Sequence, residues 1–350
     1  MLFGNLFSNF SWDIGVDLGT CNTLIYLKDR GVIINEPTMI ARIKKKRWMG
    51  LSAPKFNFSR PIAYGYKAKE MFEREPMQIE VVSPIKNGSI QDLDALEKLM
   101  GYYFKLIHEI PGKYPKIIKP RVVVGVPAFL NQVNKRAISE LFKGVGARQV
   151  IMCDQCVLSA VGRGMPLETS MGTMIVDVGG GKTEVTVVSM GGIVVGKNIN
   201  VAGKSLDQDV MSYLKMKYNM IIGQLTAEKI KIAGGGLVRG RDMSCGLPKS
   251  IKVTSNEIKE AIGLSLNKIV KTVGRVLDET PPELMDGILK KGIMLVGSGS
   301  KIEGLAKMIE DEVKIGARVV EEPEYSVIRG CGELIENPEK LSLIKIISNG

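Results

Sequence analysis

Apolar positions along the chain follow two spacings, one typical of buried strands and the other of amphipathic helices. Short apolar runs predict strands at 121–127 and at 150–152. Apolar residues three and four positions apart predict helices over 133–142, 205–218, 226–233 and 256–278. Strands and helices that alternate in this way are typical of an α/β protein.

A repeated motif is the strongest signal within the chain. Segments 13–27 (DIGVDLGTCNTLIYL) and 174–188 (MIVDVGGGKTEVTVV) each run from an apolar strand, through Asp-x-Gly-x-x-x-Thr, into a second apolar strand. The residues that match in the two copies are Asp17, Gly19 and Thr23, then Asp177, Gly179 and Thr183. Each copy predicts a β-hairpin whose glycines allow backbone N–H groups to approach a phosphate closely.

Each hairpin also ends its first strand on a carboxylate, Asp17 or Asp177. Two such carboxylates facing each other across a cleft would hold a hydrated Mg²⁺ beside the phosphates. A third element, 292–305 (GIMLVGSGSKIEGL), predicts an apolar strand, a Gly-Ser-Gly turn suited to a nucleoside, and a helix beginning near Ile302. Two halves that each open with a phosphate hairpin predict a duplicated two-lobe domain around a nucleotide cleft.

Composition and charge narrow the class of protein. At 350 residues, 45% apolar and 24% charged, the chain is long enough for two globular lobes. It has no apolar run of membrane-spanning length and no recognisable signal peptide, and its five scattered cysteines favour a reducing, cytoplasmic setting. The net charge of +11 favours an anionic partner such as a nucleotide, nucleic acid or anionic lipid, although a solubilising surface explains it equally well.

The Cys-x-x-Cys pair at 153–156 raises the alternative of a thiol–disulfide catalyst. Such a catalyst needs an exposed first cysteine in an electropositive setting, whereas Cys153 ends an apolar strand and precedes Asp154, which would raise the thiol pKa. A zinc site is also disfavoured, because the chain has no second cysteine pair and its one histidine, His108, is distant in sequence. We therefore expect neither redox nor metal chemistry from these cysteines.

Taken together, these segments resemble the MreB family of bacterial actins, within the actin, heat-shock-70 and sugar-kinase superfamily. The matching stretches follow the family order along nearly the whole chain: DLGTCNTLIY, NEPTMIA, AKEMF, PRVVVGVP, VDVGGGKTEV, TAEKIKI, TPPELMDGILKKGIML and GCGELIENPEK. The sequence is most similar to divergent MreB paralogues of Spiroplasma. The resemblance implies an actin-like α/β fold, duplicated in two lobes, with four subdomains around a nucleotide cleft. Those subdomains would be IA (1–30, 77–150 and 323–350), IB (31–76), IIA (151–190 and 254–322) and IIB (191–253).

The same resemblance implies a function. It indicates a cytoskeletal protein for cell shape or motility that binds ATP (or ADP) with Mg²⁺ and assembles into double protofilaments on the inner face of the cell membrane. Its partners would be further copies of itself, other MreB paralogues and an anionic membrane surface. No nucleic-acid partner is expected, because no aromatic residues are interleaved in the basic runs.

Residue roles follow from the resemblance position by position. Asp17 and Asp177 would lie beside Mg²⁺, with water between. The phosphate loops would be Gly19, Thr20, Cys21 and Asn22, then Gly179, Gly180, Gly181 and Lys182. Glu228 and Lys231 fall where the family contacts the ribose. Adenine would pack on Gly297, Ser298, Gly299 and Ser300, with Ser298 in place of the family's usual glycine.

Two residues depart from the family pattern where the attacking water is positioned. Gln155 stands where the family usually has a glutamate that orients this water, and Lys182 replaces a threonine that helps to place it. Glutamine can orient water but cannot act as a base, and Asp154 is the neighbouring carboxylate that could substitute. We therefore expect slow or negligible hydrolysis at a degenerate site formed by Gln155, Lys182 and Asp154.

Other functions of the same fold remain open alternatives. Ordinary turnover is one of them, since actin itself has glutamine at the place comparable to Gln155. A phosphotransferase is another, but no sugar-kinase catalytic aspartate can be assigned. A heat-shock-70 chaperone would need a further peptide-binding domain.

The N-terminus carries a candidate membrane helix. Five apolar residues fall on one helical face: Leu2, Phe3, Leu6, Phe7 and Phe10. Some MreB proteins pair such a helix with an apolar loop, and Ile117 and Ile118, flanked by lysines, occupy the loop position. The basic run 44–47 would add attraction to anionic lipid. The alternative is a terminal arm that packs back onto the protein.

Overall fold

The structure is a computed structural model that describes residues 12–44, 60–111, 118–166 and 168–347. The chain forms two compact units. The first contains the chain up to Asp154, then Cys331–Leu341 and the stretch from Ile346 onward, and the second contains Gln155–Gly330 and Ser342–Lys345.

In the first unit, three sheets are built from β1 (Ile14–Leu18), β2 (Asn22–Leu27), β3 (Gly31–Pro37), β4 (Ile40–Ile43), β5 (Pro61–Tyr64), β6 (Ile79–Val82), β7 (Ile85–Lys86), β8 (Ser89–Ile90), β9 (Arg121–Val126) and β10 (Gln149–Asp154). The helices are α1 (Gly65–Met71), α2 (Leu93–Glu109) and α3 (Gln132–Gly144). The main sheet has the order β10-β9-β1-β2-β3, and the smaller sheets are β5-β4-β6 and β7-β8.

In the second unit, two sheets are built from β11 (Thr173–Val178), β12 (Thr183–Ser189), β13 (Gly192–Ile199), β14 (Met220–Ile221), β15 (Gly236–Asp242), β16 (Pro248–Val253), β17 (Ile293–Val296) and β18 (Ala317–Val319). The helices are α4 (Gln155–Gly162), α5 (Gly203–Tyr218), α6 (Gln224–Ala233), α7 (Ser255–Asp278), α8 (Pro282–Lys291) and α9 (Leu305–Val313). The sheets have the orders β13-β12-β11-β17-β18 and β14-β15-β16. Helix α10 (Ser326–Glu336) begins in the second unit and ends in the first.

The two five-stranded sheets have the same topology, which confirms the predicted duplication. In the first, β1 pairs antiparallel with β2 and parallel with β9; in the second, β11 pairs antiparallel with β12 and parallel with β17. The hairpin registers also correspond, with Leu18 opposite Thr23 and Val178 opposite Thr183. Asp17 and Asp177 therefore occupy equivalent places, each one residue before the end of a central strand.

The long helix α7 illustrates how the sequence dictates an element. The Thr254 hydroxyl accepts a hydrogen bond from the Glu257 backbone N–H, and the Glu257 carboxylate accepts one from the Thr254 N–H, so that a capping box starts the helix. One face then buries its aliphatic side chains in the core of the second unit: Ile258, Ile262, Leu266, Ile269, Val270, Val273 and Val276. This helix supports the sheet that carries the second hairpin.

Most predicted helices lie within two residues of their observed bounds, and one was placed too early. The helix expected near Ile302 begins at Leu305 instead. A short 3₁₀ turn over Ser298–Lys301 comes first, and Gly304, at φ +88°, adopts a left-handed conformation that interrupts the right-handed helix. In the described part of the chain, no helix is long and apolar enough to cross a bilayer.

Candidate functional site

The first hairpin turn is held by a threonine that directly follows β3. The Thr38 hydroxyl donates to the Gly19 carbonyl at 2.8 Å, and the Thr38 N–H donates to the Cys21 carbonyl at 2.8 Å. A Cβ at Gly19 would come within 2.5 Å of the Asn22 carbonyl oxygen, so this turn requires glycine. The Thr20 hydroxyl accepts from the Gly88 N–H at 3.1 Å. These contacts make the turn a fixed cradle of backbone groups, as a phosphate loop requires.

The second hairpin turn lies against the N-terminus of α5. The Gly179 N–H donates to the Lys182 carbonyl at 3.1 Å, which closes the turn. The first N–H groups of the helix, those of Gly203 and Lys204, donate to the carbonyls of Gly179 and Gly180 at 3.1 and 2.8 Å. The positive end of a 16-residue helix therefore adjoins this loop, and that end favours an anion nearby.

Lys182 forms a buried ion pair with Glu184. Its Nζ lies 2.6 Å from the Glu184 Oε1, and the two side chains are 11% and 1% exposed. The two residues flank Thr183, the first residue of β12, so that Lys182 lies in the turn and Glu184 in the strand. The Lys182 ammonium, predicted to belong to the second phosphate loop, is thus already engaged by a carboxylate of the strand that follows the loop.

The first turn of α4 packs beside this ion pair. Gln155 is buried there, and so is Cys156. Burial raises the pKa of the Cys156 thiol well above its ordinary value, and the nearby charges of Glu184 and Asp177 add to the rise. The structure therefore brings the helix that begins with Gln155 to the hairpin that carries Lys182, as the predicted site requires. Asp154, the third predicted member, is the last residue of β10 in the first unit and is only partly buried.

The two carboxylates predicted for Mg²⁺ are both largely withdrawn from solvent. Burial raises the pKa of Asp177, and the positive charge of Lys182 opposes the rise. Asp17 is also buried, and its charge contributes to the raised pKa of the Cys331 thiol. Among the described residues, no group of three or more His, Cys, Asp and Glu side chains is placed to hold a metal. Each aspartate is a donor of the type that Mg²⁺ takes, since this ion commonly binds one or two carboxylates and completes its shell with water and phosphate oxygens.

The Gly-Ser-Gly turn after β17 lies against the end of β11. A Cβ at Gly297 would come within 2.4 Å of the Asp177 Oδ1, and one at Gly299 within 2.7 Å of the Val178 Cγ1. Ser300 is fully buried, and its hydroxyl donates to the Gly297 carbonyl at 2.7 Å. Ser298 is exposed, so its side chain does not crowd the turn. The turn thus packs tightly on the end of β11, and glycine is required at Gly297 and Gly299 for this packing.

Lys231 is committed to a second buried ion pair. Its Nζ donates to the Asp207 Oδ1 at 2.6 Å and to the Gly203 carbonyl at 2.9 Å, with the side chains 9% and 4% exposed. The pair joins α6 to the N-terminal part of α5, beside the second loop. Glu228 lies one turn earlier on α6 and is half-buried.

Sequence reasoning did not identify the acidic partners, Glu184 and Asp207. The spacing of Lys182 and Glu184 was a usable signal, because two residues of opposite charge that are two positions apart in an extended segment point the same way. No comparable signal pointed to Asp207, since its partner lies on another helix.

The remaining predictions concern cysteines and the membrane. Cys153 and Cys156 are buried free thiols, and burial, reinforced by Asp154, raises the pKa of Cys153 to about 12. This is the opposite of what a thiol–disulfide catalyst needs.

Most of the residues predicted to contact the membrane lie outside the described residues: Leu2, Phe3, Leu6, Phe7, Phe10 and Ile117. Ile118 is described, and its carbonyl accepts a hydrogen bond from the Trp12 Nε1 at 2.7 Å.

Comparison with known proteins agrees with this geometry. The MreB/Mbl protein family matches residues 11–343. The cell shape-determining protein MreB of Escherichia coli K12 is 37% identical over 344 residues, which cover 95% of each chain. The cell shape-determining protein Mbl of Bacillus subtilis is 34% identical over 347 residues, covering 96% of this chain and 99% of Mbl.

Solved structures match as well. The crystal structure of MreB5 of Spiroplasma citri bound to ADP superposes with a TM-score of 0.85 at 31% identity, covering 95% of this chain and 98% of MreB5. The same protein bound to AMPPNP matches equally. The MamK double helical filament matches with a TM-score of 0.75 at 20% identity, covering 93% of this chain and 99% of MamK, and supports the fold alone. The actin-like fold predicted from the sequence is confirmed.

Proposed function

Because the chain belongs to the MreB/Mbl family of bacterial actins, we propose that it is a filament-forming protein that binds ATP with Mg²⁺ and hydrolyses it slowly. Its role is in cell shape or motility, and its filaments are double protofilaments at the inner face of the cell membrane. The buried pair of Lys182 and Glu184 in the second hairpin is the single observation that carries slow hydrolysis.

Nucleotide binding is supported by the two hairpin turns and by a relative. Spiroplasma citri MreB5, at 31% identity, has been crystallised with ADP and with AMPPNP. The phosphates would be bound by Gly19, Thr20, Cys21 and Asn22 of the first turn and by Gly179, Gly180, Gly181 and Lys182 of the second. Glu228 and Lys231 would contact the ribose, and Gly297, Ser298, Gly299 and Ser300 the adenine.

Asp17 and Asp177 would hold Mg²⁺, through water where they do not bind it directly. When bound, the ion neutralises charge on the phosphates. Because burial raises the pKa of Asp177, a proton competes with the ion for this carboxylate more strongly than at an exposed aspartate.

Slow hydrolysis follows from the side chains that the second hairpin and α4 place to position the attacking water, Lys182 and Gln155. Phosphoryl transfer to water depends on positioning and on stabilising charge in the transition state. Glu184 engages the Lys182 ammonium, which reduces the positive charge available to the γ-phosphate. Gln155 can orient a water molecule but cannot accept its proton. Binding of the ground state without added stabilisation of the transition state leaves the chemical step slow.

Filament assembly rests on family membership, and its test is electron microscopy combined with phosphate release. Purified protein should form double filaments with ATP or AMPPNP and Mg²⁺, and should release little phosphate while it assembles. Omitting nucleotide should leave the protein unassembled. Monomers that turn over ATP rapidly under the same conditions would contradict the proposal and favour an active ATPase or phosphotransferase of the same fold.

Membrane association is the remaining part of the proposal. It rests on the apolar face of residues 2–10, on Ile117 and Ile118, and on the net charge of +11, which favours anionic lipid. Other MreB paralogues are the proposed protein partners.

A further inference from the structure

The small sheet β14-β15-β16 of the second unit has two different faces. Antiparallel pairing sets Leu237 opposite Lys252, Arg239 opposite Ser250, and Arg241 opposite both Pro248 and Ile221. Residues paired across strands share a face, so these side chains all point the same way. The other face is covered by the core and buries Met220, Val238 and Val253.

We call the first of these the outer face. It consists of Ile221, Leu237, Arg239, Arg241, Pro248, Ser250 and Lys252, all of which are exposed. It carries three cations and no carboxylate. Within the part of the chain that the structure describes, no ion pair or side-chain hydrogen bond engages Arg239, Arg241 or Lys252. The neighbouring Lys249, on the other face, is by contrast paired with Asp242 at 2.8 Å.

The turn between β15 and β16 continues this surface with apolar side chains. Met243 and Leu247 are 43% and 63% exposed, and Leu237 on the outer face is 68% exposed. The turn is ordered by its own hydrogen bonds: the Asp242 N–H donates to the Leu247 carbonyl, and the Met243 N–H to the Asn219 carbonyl, both at 2.9 Å. The apolar tip is therefore presented by a fixed hairpin.

We propose that the outer face and its tip bind a bilayer that contains anionic phospholipid. Cations without carboxylate neighbours are attracted to lipid phosphates, and each cation near such a surface contributes about fivefold in affinity. Exposed aliphatic and thioether side chains at the tip can enter the headgroup region of a bilayer. An acidic protein segment would attract the cations but would not bury these apolar side chains. The combination of cations and apolar side chains therefore favours a membrane over an acidic polypeptide. This inference rests on the proposed membrane association and adds a second contact to the N-terminal one.

Vesicle co-sedimentation of the full-length protein tests the charge. The variant combines Arg239→Ser, Arg241→Ser and Lys252→Ser. The matched control combines Lys268→Ser, Lys271→Ser and Arg275→Ser, which removes the same charge from exposed positions on α7. On vesicles of phosphatidylglycerol and phosphatidylcholine, the sheet variant should bind about a hundredfold more weakly than the wild type, and the control within about twofold of it. If both variants lost the same affinity for vesicles, the effect would come from net charge and not from the outer face, and the proposal would be overturned.

A fluorophore on Cys245 tests the contact directly, because this exposed cysteine lies in the turn. An environment-sensitive label should shift to the blue on the anionic vesicles, and Cys245→Ser identifies any signal from other cysteines. A label that does not shift on protein that has sedimented with vesicles would overturn this proposal alone. Wild-type protein that does not sediment at all would overturn both this proposal and the proposed membrane association.

Discussion

The buried pair of Lys182 and Glu184 determines how much positive charge the second hairpin can present to a phosphate. A lysine beside a γ-phosphate can stabilise developing charge, as lysines of phosphate loops do. Here the Lys182 ammonium is 2.6 Å from the Glu184 carboxylate, which is almost wholly buried. The carboxylate therefore partly neutralises the charge of the ammonium. The same pair also makes the hairpin dependent on both partners, because one buried charge without the other is costly.

Glu184→Gln should therefore destabilise the protein. Removing one partner of a buried pair costs about 3–5 kcal/mol, and the glutamine amide, which can still accept a hydrogen bond, favours the lower end of that range. The measurement is the free energy of unfolding in urea. The matched control is Glu184→Gln combined with Lys182→Thr, which removes both charges and should recover part of the loss. A single variant as stable as the wild type would show that the pair is not buried as described.

The cysteines give a second test at this scale. Burial raises the pKa of Cys153 to about 12, so at about pH 8 only about one thiol in ten thousand is ionised. Cys245 is exposed and should react with an alkylating reagent under native conditions, while Cys153, Cys156 and Cys331 should react only after unfolding. Mass spectrometry of the labelled peptides measures this. Rapid native labelling of Cys153 would revive the redox alternative.

Among the elements, α5 and α6 form one support for the second loop. The N-terminal N–H groups of α5 hold the carbonyls of Gly179 and Gly180, and Lys231 of α6 is anchored to Asp207 and to the Gly203 carbonyl of α5. A lysine proposed to contact the ribose thus also has a structural role, and the two roles can be separated.

Lys231→Met should lower both stability and nucleotide affinity. The loss of stability should be about 3–5 kcal/mol, because Asp207 would remain buried without its cation. Adding Asp207→Asn should restore much of the stability. If Lys231 contacts the ribose, the affinity for a fluorescent ATP analogue should stay low in the double variant. Full recovery of affinity would show that Lys231 acts only through the position of α5.

Elements with a long, regular apolar pattern could be predicted from the sequence. Helix α7 was expected over 256–278 and runs over Ser255–Asp278, because its period is sustained for six turns and its start is capped by Thr254. The helix after the Gly-Ser-Gly turn was placed three residues early, because the positive φ of Gly304 has no periodic signature. The small sheet β14-β15-β16 was not predicted, since β14 has only two residues and β15 and β16 carry few apolar side chains.

For the whole molecule, the duplicated sheets explain why the two hairpins and their equivalent aspartates could be predicted. The repeated Asp-x-Gly-x-x-x-Thr motif places Asp17 and Asp177 at equivalent registers in two sheets of one topology. The ion pairs of Lys182 and Lys231 could not be predicted with the same assurance, because they depend on which acid the fold brings to each ammonium.

Phosphate release during assembly tests the central claim of slow hydrolysis most directly. The comparison is between the wild type and the double variant Gln155→Glu with Lys182→Thr, at equal filament mass. Nucleotide affinity and the free energy of unfolding are measured for both, because Lys182→Thr leaves Glu184 without its cation. A restored carboxylate and hydroxyl should position and activate water, so the double variant should release phosphate about tenfold faster or more. A wild type that releases phosphate as fast as the double variant would contradict the claim.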